Sequence, residues 1–229
     1  MVTSPLTMAE MQKRFPGRAA ERMLTITNGY AELDVKAERT LGDGKFLLRY
    51  IGMLNERRTP DVLLDALRIA LEHSGLAQDL RVEFIGSMGK HESKLADPRL
   101  HDTARAVGQV PHERSLALIK GSDVNVILQT IEEGQDVIAG KTFEYLAAGQ
   151  PILAIIDEQG GDAWLLRQGQ GGMIVGWREP KPIAAAIVKM WELWKADRLR
   201  SEFPPVDVHQ YTRQSLTRRL AGVFDEVLA

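Results

Sequence analysis

The residues from Gly140 to Ile155 combine groups able to hold a phosphorylated ligand. Gly140-Lys141-Thr142-Phe143-Glu144-Tyr145-Leu146-Ala147-Ala148-Gly149 reads as a glycine turn, two helical turns and a helix-stopping glycine. Gln150-Pro151-Ile152-Leu153-Ala154-Ile155 then reads as an apolar strand. A helix start offers unpaired backbone N–H groups and the positive end of the helix dipole, and both favour an anion. Lys141 adds a full charge suited to a diphosphate. Glu144, about one helical turn further in, can accept two hydrogen bonds from a vicinal diol such as ribose. Together these groups suit a nucleotide diphosphate. Taken alone, Lys141 and Glu144 also have a plainer reading as a solvated i,i+3 pair, so the elements around them must decide.

Those elements alternate between apolar strand-like runs and amphipathic helical ones, the pattern of a parallel sheet covered on both faces. Phe46 to Gly52 reads as a strand and Pro60 to His73 as a helix. Arg81 to Gly86 reads as a second strand. A less regular segment with Pro98 follows, up to Arg105. Val107 to Pro111 reads as a short strand running into a turn, His112 to Lys120 as a helix, and Asp123 to Leu128 as the next strand. Gly171 to Val175 is a late strand, Pro182 to Asp197 a long helix, and Phe203-Pro204-Pro205 a break before a terminal helix, Tyr211 to Leu228. In open α/β sheets ligands bind beyond the carboxyl ends of the strands. Three such ends carry glycines or turn residues: Gly52 to Thr59, Gly86 to Lys90, and Thr130 to Gly140. The first places Arg57 and Arg58 just before a helix that opens with Pro60. A guanidinium there can clamp a diphosphate with paired N–H donors, although either arginine alone also fits an ordinary solvated loop charge.

Composition narrows the function classes. The chain has 229 residues, 44% of them apolar, enough to bury a sizeable core. A net charge of −2 gives no electrostatic case for nucleic acid. The absence of cysteine removes disulfides and Cys-ligated zinc and fits a reducing compartment. No run approaches the ~20 apolar residues that span a bilayer, and the first residues lack the basic and apolar regions of a signal peptide. A cytoplasmic protein is expected, a peripheral place at the inner membrane face being compatible. His91, His101 and His112 lack metal-ligand spacing and read as surface histidines. Trp191 and Trp194 read as packing residues, and Asp162, after Gly160-Gly161, as the cap of the helix that follows.

Taken in order, these segments resemble the C-terminal, donor-binding half of GT-B fold glycosyltransferases, most like the retaining family 4 type, over nearly the whole chain. Ile26-Thr27-Asn28-Gly29-Tyr30 resembles the end of the interdomain linker, with Ala31 where the family usually has aspartate. Tyr50-Ile51-Gly52 to Thr59-Pro60 resembles the strand and loop whose basic residue contacts the donor diphosphate, and Arg58 falls on that position. Met53 stands where many members carry a further arginine. Phe84-Ile85-Gly86 resembles the next strand end, and Ser122-Asp123-Val124 the opening of the strand before the donor loop. Gly108-Gln109-Val110-Pro111 resembles the turn whose backbone meets the nucleobase. The family's Glu-x7-Glu motif pairs Glu144, on the ribose-binding position, with Asp136, whose longer counterpart contacts sugar hydroxyls; Glu132 or Glu133 could replace it.

The resemblance implies an α/β, Rossmann-like parallel sheet with helices on both faces and a C-terminal crossover helix. Residues 1–40 would be interdomain linker and a remnant of an N-terminal domain, with Val2-Thr3-Ser4-Pro5 as its last strand. Residues 41–200 would be the donor-binding domain, and 201–229 the helix that packs on the N-terminal domain or, without it, on a second copy. The co-substrate would be a nucleotide diphosphate sugar, with uridine the commonest base in the family and no cofactor or metal required. Gly52, Arg58, Gln109, Val110, Ile138, Ala139, Gly140, Lys141 and Glu144 would bind it. Arg58 and Lys141 would stabilise the leaving diphosphate, and Asp136 would touch the sugar. Turnover would need the acceptor-binding half. The alternatives are a GT-B nucleotide-sugar epimerase, and an interaction domain that keeps the fold without catalysis.

Overall fold

The computed structural model describes residues 1–17, 22–40, 44–56, 58–100, 102–129, 136–169 and 171–228. Arg57, His101, Glu132 and Glu133 lie outside them.

The apolar runs form one six-stranded sheet in the order β3-β2-β1-β4-β5-β6, and every neighbouring pair is parallel. The strands are β1 (Phe46–Ile51), β2 (Leu80–Ile85), β3 (Ala104–Gly108), β4 (Val124–Leu128), β5 (Ile152–Ile156) and β6 (Gly172–Gly176). Parallel strands covered on both faces must be apolar throughout rather than alternating. All five residues of β4 and all five of β5 are buried. Alternate side chains then enter two different cores: Leu153 and Ile155 face one, while Ile152, Ala154 and Ile156 face the other. The first core is closed by the helices Asp61–Ala70 and Pro180–Lys195, and the second by His112–Lys120, Gly140–Ala148 and Gly161–Leu166.

In chain order the helices are α1 (Pro5–Arg14), α2 (Asp61–Ala70), α3 (Leu76–Asp79), α4 (His112–Lys120), α5 (Gly140–Ala148), α6 (Gly161–Leu166), α7 (Pro180–Lys195), α8 (Leu199–Glu202) and α9 (Arg213–Leu228). Both tryptophans of α7 pack as expected. Trp191 is buried and donates to Asp79 (2.9 Å), and Trp194 lies 5.7 Å from the Phe46 ring.

Three expectations shift. Val2 makes only a bridge to Thr25, because Ser4 and Pro5 start α1. The Ser4 hydroxyl caps the Thr7 N–H and proline takes the first turn, which are helix-start signals. The third strand runs from Ala104 to Gly108 instead of Val107 to Pro111. It is a sheet edge, only Ala104 is buried, and so its apolar pattern is weak. Asp162 does not cap α6, whose N-cap is Gly160 with no side-chain bond.

Two tethers bind the outlying segments. Arg49, fully buried on β1, donates to Glu83 (2.7 Å), to the Glu38 and Leu118 carbonyls and to Thr40, fastening residues 38–40 to the sheet. Tyr30 pairs with the start of α9 through Tyr30 N–H to Tyr211 O (3.1 Å) and Arg213 N–H to Tyr30 O (2.9 Å). A side chain at position 29 would run into the Tyr211 carbonyl, which explains the glycine of the Asn-Gly-Tyr motif. Towards the end of α9 apolar residues are uncovered: Leu220 and Val223 are half-buried, and Phe224, Val227 and Leu228 are exposed.

Candidate functional site

The strand order reverses between β1 and β4, and at such a switch point the loops leaving the two strands part to open a crevice. The loop after β1 carries Gly52 and Arg58, and the one after β4 leads to Gly140 and α5. The ends of β1, β2 and β3 are joined side by side by Gly52 N–H to Ile85 O and Gly86 N–H to Gly108 O (both 2.8 Å). Gly86 has φ +118, and a Cβ there would strike the Gly52 carbonyl, so this floor needs glycine.

Two cations converge on that floor. Lys141 Nζ lies 4.3 Å from the Tyr50 ring centroid and 3.5 Å from the Ile51 carbonyl. Burial, then the neighbouring charge of Arg58, brings the Lys141 ammonium down to about 7, against a smaller pull from Asp162. Arg58 hydrogen-bonds the Tyr50 hydroxyl, which burial pushes up to about 12, and its Nε is buried without a partner. Among the described residues, no carboxylate forms an ion pair with either cation. Two like charges held together in this way provide a setting for an anion. Met53 is 61% exposed, and only its carbonyl reaches the site, accepting from the Tyr50 hydroxyl (3.3 Å).

The Arg58 loop is held from below. Asn55 Oδ1 accepts from Arg58 N–H (2.9 Å), Asn55 N–H donates to Arg58 O (3.0 Å), and Asn55 O lies 3.2 Å from His91 Nε2. His91 is thus not a surface residue: it is buried in the 3₁₀ segment Gly89–Ala96, beneath the loop that carries Arg58.

One turn along α5 from Lys141 and on the same face, Glu144 is half-buried. Burial raises its pKa, opposed by the charges of His112 and Arg213. His112 Nε2 stands 3.8 Å from Glu144 Oε1 and is exposed, as the sequence led us to expect. It follows directly on Gln109, Val110 and Pro111, so the turn after β3 lies beside Glu144; Gln109 is exposed and Val110 half-buried. The sheet floor, the cation pair, the carboxylate and this turn therefore lie together at the carboxyl end of the sheet.

The loop before α5 is less uniform than the sequence implied. Gly140 is open, with nothing within 4 Å of a Cβ position. Ile138 buries its side chain in the core, leaving only backbone to offer. The Ala139 N–H is directed onto Asp162 (3.0 Å), so it does not face the crevice. Asp136 is drawn towards α1: its carboxylate accepts from the Thr7 hydroxyl (2.6 Å), and its carbonyl accepts from the Ser4 hydroxyl. Asp162, His91 and Arg213 reach the site from distant segments, and no spacing in the sequence marks them. Tyr50 was visible only as part of a strand-end pattern.

The fold is a Rossmann-like α/β domain with Lys141 and Arg58 gathered at its switch point. The family profile for the glycosyl transferases group 1 matches residues 45–192, more than half of the chain, and the protein belongs to that family. No curated protein matches the chain. Among solved structures, a glycosyltransferase from Rickettsia africae superimposes with TM-score 0.76 at 12% identity, over 99% of this chain and 62% of that one. Anabaena HepE in complex with UDP gives 0.75 at 16% identity, over 98% and 63%. The pneumococcal O-GlcNAc transferase GtfA in complex with UDP and GlcNAc gives 0.73 at 15% identity, over 99% and 44%. The fold is that of the donor-binding, C-terminal domain of GT-B glycosyltransferases, and the chain spans 44 to 63% of the length of these three.

Proposed function

We propose that this chain is the donor-binding part of a glycosyltransferase that moves a sugar from a nucleotide diphosphate sugar to an acceptor hydroxyl. The observation that carries the reading is the meeting of Arg58 and Lys141 at the switch point, one helical turn from Glu144. As the glycosidic bond breaks, negative charge grows on the departing diphosphate. Arg58, Lys141 and the start of α5 would stabilise it by preorganised electrostatics, a role that calls for no metal. With the Met53 side chain exposed, Lys141 on α5 would supply the second cation beside Arg58. Glu144 would take the ribose hydroxyls, and the Gln109–Val110 backbone the base. Uridine is the base we favour, because the Anabaena and pneumococcal structures hold UDP.

The chemistry would be retaining transfer of the family 4 kind, in cell-surface polysaccharide or glycoconjugate synthesis at the cytoplasmic side, free or peripherally bound. The bond from Thr7 favours a lesser part for Asp136 in holding the sugar. The chain on its own would bind without turning over. The exposed Phe224, Val227 and Leu228 on α9 would pack on an acceptor-binding domain, a partner chain or a second copy.

Thermal unfolding with UDP, GDP, ADP and dTDP tests the reading. Ligand at about 100 times its dissociation constant adds about 2.7 kcal/mol, a rise of about 5–10 °C for a domain of this size. A rise with UDP supports the site and the base. No rise with any of the four refutes donor binding by this chain.

A further inference from the structure

Asp162 has no part in the ligand contacts described above, yet it is among the most enclosed carboxylates in the molecule, at 1% exposure. Its Oδ1 accepts from the Ala139 N–H (3.0 Å) and from the Thr142 hydroxyl (2.6 Å). Its Oδ2 is buried with no hydrogen-bond partner. Ala139 is the N-cap of α5 and Thr142 sits in its first turn. Asp162 therefore caps α5 from a neighbouring helix, while Ala139 offers no side-chain cap of its own. An ordinary capping side chain at position 139 would bring its oxygen to the helix N–H groups and occupy the place of an anion. The cap from behind leaves the space in front of Gly140 open. The charged groups facing Asp162 are Lys141 on α5 and Arg58 on the loop after β1. Burial raises the Asp162 pKa, and the bonds from Thr142 and Ala139, with those two charges, pull it back.

We infer that Asp162 is a positioning residue of the nucleotide diphosphate site. It locks the turn that opens α5 and supplies the fixed negative charge that holds Lys141 and Arg58 in readiness for the ligand's phosphates. This rests on the donor-binding reading, and deepens it by assigning the site a carboxylate that touches no ligand atom. A lone carboxylate oxygen without a donor is costly to bury, and the adjoining cations offset that cost only while they stay in place.

The test is UDP and uridine binding to the full chain, by calorimetry between about pH 7 and 8.5, where a terminal phosphate with its second pKa near 6 is about 90% or more ionised. The variants are Asp162→Asn, Asp162→Ala and Thr142→Val, each with its melting curve. Asparagine keeps an acceptor for both bonds and removes the charge. Asp162→Asn is expected to shift the pH dependence of UDP binding to lower pH, because Lys141 loses a facing anion. Asp162→Ala is expected to weaken UDP about tenfold or more with a much smaller effect on uridine, and Thr142→Val to lie between, in line with hydrogen bonds to a charged group. Should Asp162→Ala not fold, the other two variants carry the decision. Folded variants that bind UDP as wild type does, with an unmoved pH dependence, would overturn the inference. Equal losses for UDP and uridine would also overturn it, as the mark of general loosening. A wild-type chain that binds no nucleotide diphosphate would instead overturn the donor-binding reading itself.

Discussion

Donor affinity should fall as pH rises through neutrality, and Lys141 sets the direction. Its ammonium is held near 7 by burial and by Arg58, so above that pH the group is increasingly neutral. A diphosphate placed about 4 Å away, at an effective dielectric near 20, favours the ammonium by ~4 kcal/mol per charge. That is about three pH units, enough to keep the bound lysine protonated to about pH 10. Between those limits binding must take up a proton. UDP affinity should therefore weaken about fifteenfold from pH 7 to 8.5, or ~1.6 kcal/mol. Titration calorimetry in buffers of different ionisation heat reads both the affinity and the uptake, which should approach about one proton. Lys141→Arg keeps its charge throughout and should bind with a flat profile. The stability of the free protein should move the opposite way. A lysine depressed on folding binds fewer protons folded than unfolded, so its contribution rises from about pH 7 towards the unfolded value near 10.4. A pH-independent wild-type affinity with no proton uptake would refute the reasoning, as would an unchanged slope in Lys141→Arg.

Three further outcomes are expected. Glu144→Ala should weaken UDP by about 2–3 kcal/mol, the scale of hydrogen bonds to a charged acceptor; an unchanged dissociation constant removes Glu144 from the ribose. Arg58→Ala should cost much more binding for UDP than for UMP or uridine, and equal losses in competition assays would take Arg58 out of the phosphate site. Glu83→Ala leaves Arg49 buried without its carboxylate and should destabilise the chain by about 3–5 kcal/mol in urea unfolding. A loss below about 1 kcal/mol would mean that the Leu118 and Glu38 carbonyls satisfy Arg49 unaided.

Sequence alone determined what short-range physics can write. The apolar runs of β1, β4 and β5 announced a buried parallel sheet, because a strand covered on both faces has no polar side to show. Gly140 and Gly149 bracketed α5, and helical spacing put Lys141 and Glu144 on one face. The Tyr-Ile-Gly strand end and Arg58 marked the loop at the switch point. Edge strand β3 was misplaced because exposure dilutes its pattern, and α1 was missed although Ser4 and Pro5 spelled a helix start.

Tertiary structure alone decided which distant groups meet. Asp162 reads as a local cap in sequence, yet its partners are Thr142 and Ala139, since β5 returns the chain alongside the start of α5. His91 reads as a surface residue until the 3₁₀ segment tucks it beneath Asn55. Lys141 reads as a diphosphate-binding charge or as half of a solvated pair until folding lays it on Tyr50 beside Arg58, where loss of water and a like charge together lower its proton affinity. Each of these depends on burial and on charges far apart in the chain, and neither quantity exists until the sheet has closed around them.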